Sequence, residues 1–239
     1  MATNERAAKT GSKRFTRVGV LAVAVGIAGS AQATTITVPG TSNPWLAGAP
    51  NGTPARYGDV APDQSPVEVA VTPGQWLVIS ATGSTDHCFL GGCGLAGAEG
   101  DPGEGPWSHA EGAENGISDV IAPIDGLLGV FLGPGAPSPT APSLLDFSTL
   151  ASTDFSALSP ELQQVFFIGD GLQLDGLTSQ IFIVPDGATR LFLGPMDGFE
   201  WNNNAGSLDV SVTAVPEPAT LSLVALGLVG AVRRRQRTR

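Results

Sequence analysis

The densest grouping of oxygen-bearing side chains is Met196-Asp197-Gly198-Phe199-Glu200-Trp201-Asn202-Asn203-Asn204-Ala205-Gly206-Ser207. Carboxylates and amide oxygens are hard donors, and calcium collects about six to eight of them together with backbone carbonyls. Asn and Gly tolerate the left-handed backbone needed to curl a loop round an ion. The spacing is not that of an EF-hand, because the third, fifth and twelfth positions counted from Asp197 are Phe199, Trp201 and Leu208. The same composition also serves as an ordinary polar hairpin loop. A second grouping is His87-Cys88 with Cys93. In an exported protein this reads as a small loop closed by a Cys88–Cys93 disulfide, and the alternative is a zinc site built from His87, Cys88 and Cys93. Catalysis that relies on a His base has only His87 and His109 to draw on, and no Gly-x-Ser-x-Gly is present. The expectation is therefore a protein that is not an enzyme. A carboxylate pair suited to glycoside hydrolysis remains open, since it needs only a suitable separation.

The elements that must position these residues read as strands. Val67, Val69 and Val71 alternate with polar or small residues, Pro73-Gly74 makes a turn, and residues 75–81 form an apolar run, which together predict a hairpin-like pair with Trp76 in the core. Further strands are expected at 120–121, 127–132, 165–168, 180–184, 189–193 and 208–213. In the last of these, Leu208, Val210 and Val212 share one face. Ser159-Pro160 offers an N-cap and a first helical position for a turn or two of helix. Residues 34–66 are dense in Pro, Gly, Asn and Asp and read as an irregular lead-in. Residues 133–153 read as a long surface connection. Seven or eight short strands between Gly and Pro turns predict an all-β sandwich or jelly roll over residues 67–214.

Both ends of the chain are addresses. Five basic residues precede the apolar run from Val18 to Gly29, which ends at Ala31-Gln32-Ala33, the order of a secretory signal peptide over residues 1–33. At residues 215–239, Pro216-Glu217-Pro218 leads into an apolar span and then into Arg233, Arg234 and Arg235. This tail resembles the PEP-CTERM sorting signal. The resemblance implies transient inner-membrane anchoring, cleavage by an exosortase-type membrane protease, and delivery to the surface or exopolysaccharide matrix of a Gram-negative bacterium, a biofilm setting. The whole chain carries a formal charge of -10, and only Arg56 and Arg190 are basic between the two signals. Nucleic-acid binding needs clustered Lys and Arg and is excluded, whereas such an acidic surface attracts divalent cations.

The stretch from Asp197 to Val210, with Asn203-Asn204-Ala205-Gly206-Ser207-Leu208, is similar to the calcium and sugar loop of the bacterial galactophilic lectins of the PA-IL type. Pro73-Gly74 and the pattern Ile79-x-Ala81-x-Gly83 look like that family's first hairpin and the loop after it. The resemblance implies a galactose-binding-like β-sandwich that binds Ca2+ and carbohydrate. Asp197, Asn203 and Asn204 would ligate calcium through side chains, Glu200 or Trp201 through a carbonyl, and His87 through a backbone carbonyl of the first loop. The sugar's vicinal hydroxyls would complete the coordination, held by Asp197, Asn203 and Asn204. This loop is shorter than the family's, so Asn202 competes with Asn203 as first amide ligand. Trp201 would stack on the sugar, and His109 stands nearest to a family contact to its primary hydroxyl. A structural or adhesion protein with a calcium-stiffened loop is the alternative.

Overall fold

The computed structural model describes residues 33–88 and 92–216. The predicted signal peptide, apart from Ala33, therefore lies outside the described residues, as do Glu217, Pro218, Arg233, Arg234 and Arg235. Twelve strands are described: β1 (Ala33–Pro39), β2 (Val67–Ala70), β3 (Trp76–Asp86), β4 (Pro106–Ser108), β5 (Val120–Pro123), β6 (Leu127–Leu132), β7 (Leu145–Asp146), β8 (Ala157–Leu158), β9 (Val165–Phe167), β10 (Ile181–Ile183), β11 (Arg190–Pro195) and β12 (Ala205–Val215). They form a five-stranded sheet in the order β1-β12-β3-β10-β8, a four-stranded sheet β2-β11-β6-β9, and a small sheet β4-β5-β7.

Side-chain alternation explains the inner faces of the larger sheet. Leu77, Ile79 and Ala81 of β3 and Leu208, Val210 and Val212 of β12 are buried, because successive residues of a strand point to opposite faces. β6 and β9 are apolar runs, and every one of their residues is buried, so the four-stranded sheet is covered on both sides. One apolar cluster spans both large sheets, with Val38, Ile79, Phe182 and Val210 from the first and Val69, Val130, Phe166 and Leu191 from the second. The rings of Phe166 and Phe182 meet across it at 5.7 Å. Two sheets sharing one core make the protein mostly β with a sandwich-like centre.

Five expectations change. Val67–Ala70 and the run after Pro73-Gly74 do not pair with each other. β2 pairs with β11, and β3 lies between β12 and β10. The Thr72–Gln75 turn thus crosses from one layer to the other, and each strand buries its apolar face on a different sheet. Trp76, at the start of β3, is only half-buried. Ile79, Ala81 and Gly83 are strand rather than loop residues, for β3 and β12 pair continuously from Trp76 to Asp86. The predicted lead-in is integral to the fold: β1 pairs with β12 over seven residues, and Trp45 and Leu46 are completely buried. Residues 159–164 form no helix. Gln163 sits at φ 67 and its amide ties Gly116 and Ser138 together, a conformation that ends a helical turn. Among the described residues the one α-helix is instead α1 (Leu150–Thr153), started by a capping box of Thr149 and Ser152. No helix among the described residues is long and apolar enough to cross a membrane.

Candidate functional site: a cleft where strand ends meet

The antiparallel register of β3 and β12 opposes Asp86 to Ala205. His87 therefore leaves β3 beside the point where Asn203 and Asn204 enter β12. Near this end the ribbon bends at Gly83 (φ +103) and Gly206 (φ +79), a backbone state that side-chain-bearing residues rarely adopt. A Cβ on Gly83 would stand 2.5 Å from the Ser207 carbonyl oxygen. β11 ends at Pro195, and the Met196 carbonyl accepts from the Asp125 N–H at 2.8 Å. The β5–β6 turn is thereby fixed against the Asp197 loop.

These ends enclose a cleft of about 300 Å³ lined by His87, Cys88, Cys93, Glu104, Trp107, Asp197, Phe199 and Asn203. Asp197 is 2% exposed. One of its oxygens accepts from the Phe199 N–H at 3.2 Å, and Oδ2 has no partner. Asn203 donates to Glu200 and Asn204 to the Gly40 carbonyl, while Oδ1 of each is buried and unpartnered. Burial raises the Asp197 carboxyl to about 6, against the lowering pull of the neighbouring Asn204 amide and the loop N–H groups. A carboxylate desolvated in this way, beside two idle amide oxygens, fits an electropositive ligand. The donor set is all oxygen and suits calcium.

Of the predicted residues, Asp197 and Asn203 therefore meet in the cleft, with Asn204 next to them. Asn202 does not join, because its backbone and side-chain N–H groups both donate to Asp59. Glu200 takes a left-handed conformation at the start of the 3-10 turn Trp201–Asn203, and its carboxylate holds Asn203 at 3.1 Å. Trp201 is buried and donates its indole N–H to the Pro195 carbonyl, so it is a core residue and offers no face to a sugar. His109 is buried as well. Its ring stacks on Trp45 at 4.1 Å and its Nδ1 meets the Gly112 carbonyl at 2.8 Å, which places it behind the cleft rather than in it. Burial lowers its pKa despite the Gly112 contact.

Several residues of the site had no motif to mark them. Trp107 comes from β4 and packs over Gly198, where a Cβ would meet its ring at 2.9 Å. Phe199, 41% exposed, leans on Tyr57 with ring centroids 5.3 Å apart. Asp125, from the β5–β6 turn, bonds His87 Nδ1 at 2.7 Å. Burial raises the Asp125 carboxyl to about 6. On His87 burial works against the charge, yet the Asp125 hydrogen bond and the charges of Asp125, Asp197 and Asp86 outweigh it and raise the imidazole. Cys88 and Cys93 are joined as a disulfide with Cα atoms 5.5 Å apart.

No curated protein matches the chain. Residues 214–236 match the PEP-CTERM protein-sorting motif, of which only the first residues, Pro216 among them, are described structurally. That motif makes the protein an exosortase substrate, exported and sorted to the cell surface.

Proposed function

We propose that this surface-sorted protein is a non-catalytic, calcium-dependent carbohydrate-binding protein of the bacterial surface or exopolysaccharide matrix. The observation that carries the reading is the set of three buried, unpartnered oxygens, Asp197 Oδ2, Asn203 Oδ1 and Asn204 Oδ1, in one loop beside a cleft walled by Trp107 and Phe199. Calcium would be held by Asp197, Asn203 and Asn204, and it would offer open coordination positions to vicinal sugar hydroxyls. Trp107 would take the stacking role that the sequence suggested for Trp201, since its half-buried ring lines the cleft. A pyranose presents an apolar face to such a ring and hydroxyls to the ion, so a shallow site can bind through both at once.

The test is a glycan array of bacterial exopolysaccharides probed with the full chain in mild detergent, in excess calcium and in chelator. Binding only with calcium, lost together with calcium affinity in Asp197→Ala and in Asn204→Ala, is the expected result. Sugar and calcium affinities left unchanged by both substitutions would sink the reading. The deep burial of Asp197 and Asn204 favours a second reading, in which calcium only stiffens the loop of a structural or adhesion protein. Its signature is calcium-dependent stability without glycan binding.

A further inference from the structure

We propose that, before its disulfide closes, the protein presents a soft-metal site formed by Cys88, Cys93 and His87, suited to Zn2+, at one wall of the cleft. With the disulfide closed, a ring nitrogen of His87 and the two bonded sulfurs lie within 4.8 Å of one another, so opening the bond leaves both thiols beside the imidazole. Thiolate and imidazole are the donors zinc selects, and three protein ligands with one open position is a recurrent zinc arrangement. His87, Cys88 and Cys93 line the cleft together with Glu104 and Asp197.

Two features of the surroundings give the trio the character of a built site. The first is Asp125, only 1% exposed, whose Oδ2 lies 2.7 Å from His87 Nδ1. A carboxylate on one ring nitrogen fixes the tautomer, leaves the lone pair on Nε2 and raises its basicity, the usual support for a zinc-bound histidine. The second is Asp86, fully buried at the end of β3, which accepts from the Cys88 N–H at 2.8 Å and from the Gly94 N–H at 2.6 Å. This carboxylate clamps both ends of the 88–94 loop independently of the sulfur–sulfur bond. The two cysteines therefore stay neighbours when they are thiols.

The newly made chain carries two thiols. Metal binding displaces their two protons onto solvent and needs no redox partner. Disulfide formation removes the same two protons together with two electrons, which a disulfide-bearing oxidant accepts as it becomes a dithiol. The two outcomes exclude each other, so bound metal protects the thiols and oxidation expels the metal.

The experiment uses the full chain in mild detergent, reduced with a phosphine and titrated with cobalt(II), whose thiolate charge-transfer and tetrahedral d–d bands report the ligands directly. One equivalent should bind, zinc should displace it, and excess calcium should not. The oxidised chain should give no spectrum, a control that requires no substitution. His87→Ala and Asp125→Asn should each weaken cobalt affinity, the latter by about 10- to 100-fold, and zinc should slow reoxidation of the thiols. A reduced chain without these bands, or cobalt affinity unchanged in His87→Ala, overturns the proposal. Neither result touches the calcium reading, whose ligands are oxygens on a different loop.

Discussion

Asp59 sends no atom into the cleft, yet its carboxylate accepts from Asn43 Nδ2, the Trp201 N–H, the Asn202 N–H and Asn202 Nδ2, all between 2.8 and 3.0 Å. It ties the segment before β2 to the Asp197 loop while being 1% exposed. Asp59→Ala should leave these donors unpaired and cost on the order of 4 kcal/mol, read as a lower urea midpoint, with calcium affinity falling alongside. At Gly198 the effect should be on the sugar alone. Gly198→Ala would push the Trp107 ring aside, and the expected outcome is glycan affinity reduced about tenfold with calcium affinity retained, a difference of about 1.4 kcal/mol, measured by calorimetry of both ligands. An unchanged glycan affinity would remove Trp107 from the binding wall.

The five-stranded sheet shows how an element gains its importance from its neighbours. β1 is a Thr-rich strand whose sequence, by itself, gives weak reason to expect a core position. It is recruited because β12 is eleven residues long and has an open edge on the side away from β3. Seven paired residues close that edge and drive Val38 into the common core. Val38→Ala should therefore destabilise by about 2 kcal/mol, whereas an irregular lead-in would tolerate it within about 0.5 kcal/mol. Chemical denaturation of the two chains decides. Trp45 belongs to the same recruited segment: it stacks on His109, tilts against Trp201 at 5.3 Å and donates its indole N–H to the Ser118 carbonyl. Trp45→Ala should cost about 3 to 5 kcal/mol by the same assay.

At the scale of the molecule, the concentration of acidic groups makes stability depend on pH. Glu99 is raised to about 7, by desolvation first and by the neighbouring Asp170 charge, while the Asp170 N–H bond pulls the other way. A carboxyl whose folded pKa exceeds its unfolded one holds its proton more tightly when folded, so stability falls as pH rises from about 4.5 to about 7 and is flat above. Asp125, Asp197 and the raised His87 act in the same direction, and His109, lowered by burial, opposes them. Glu99→Gln keeps an acceptor for the Asp170 N–H, now 2.7 Å away. The variant should match the parent near pH 4 and melt higher at pH 8. Equal melting temperatures at both pH values would exclude this group as a source of the dependence.

Periodicity and punctuation made legible the mostly β character and the inward face of Leu208, Val210 and Val212, and singled out the oxygen-rich loop, because these depend on neighbours within a few positions. The sorting motif was legible for the same reason, as a contiguous order of Pro-Glu-Pro, apolar span and Arg cluster read without reference to any fold. Asp59, Asp125, Trp107 and β1 were not legible, since each acquires its role from a partner far along the chain: Asp59 and Trp201, for example, are separated by 142 positions. Only the tertiary structure decided that Trp201 and His109 turn inward, that Trp107 turns toward the cleft, and that β2 and β3 part company between two layers. Local sequence records which side chains are apolar or charged, but burial and sheet partners are set by which distant strands are free to pair and cover them.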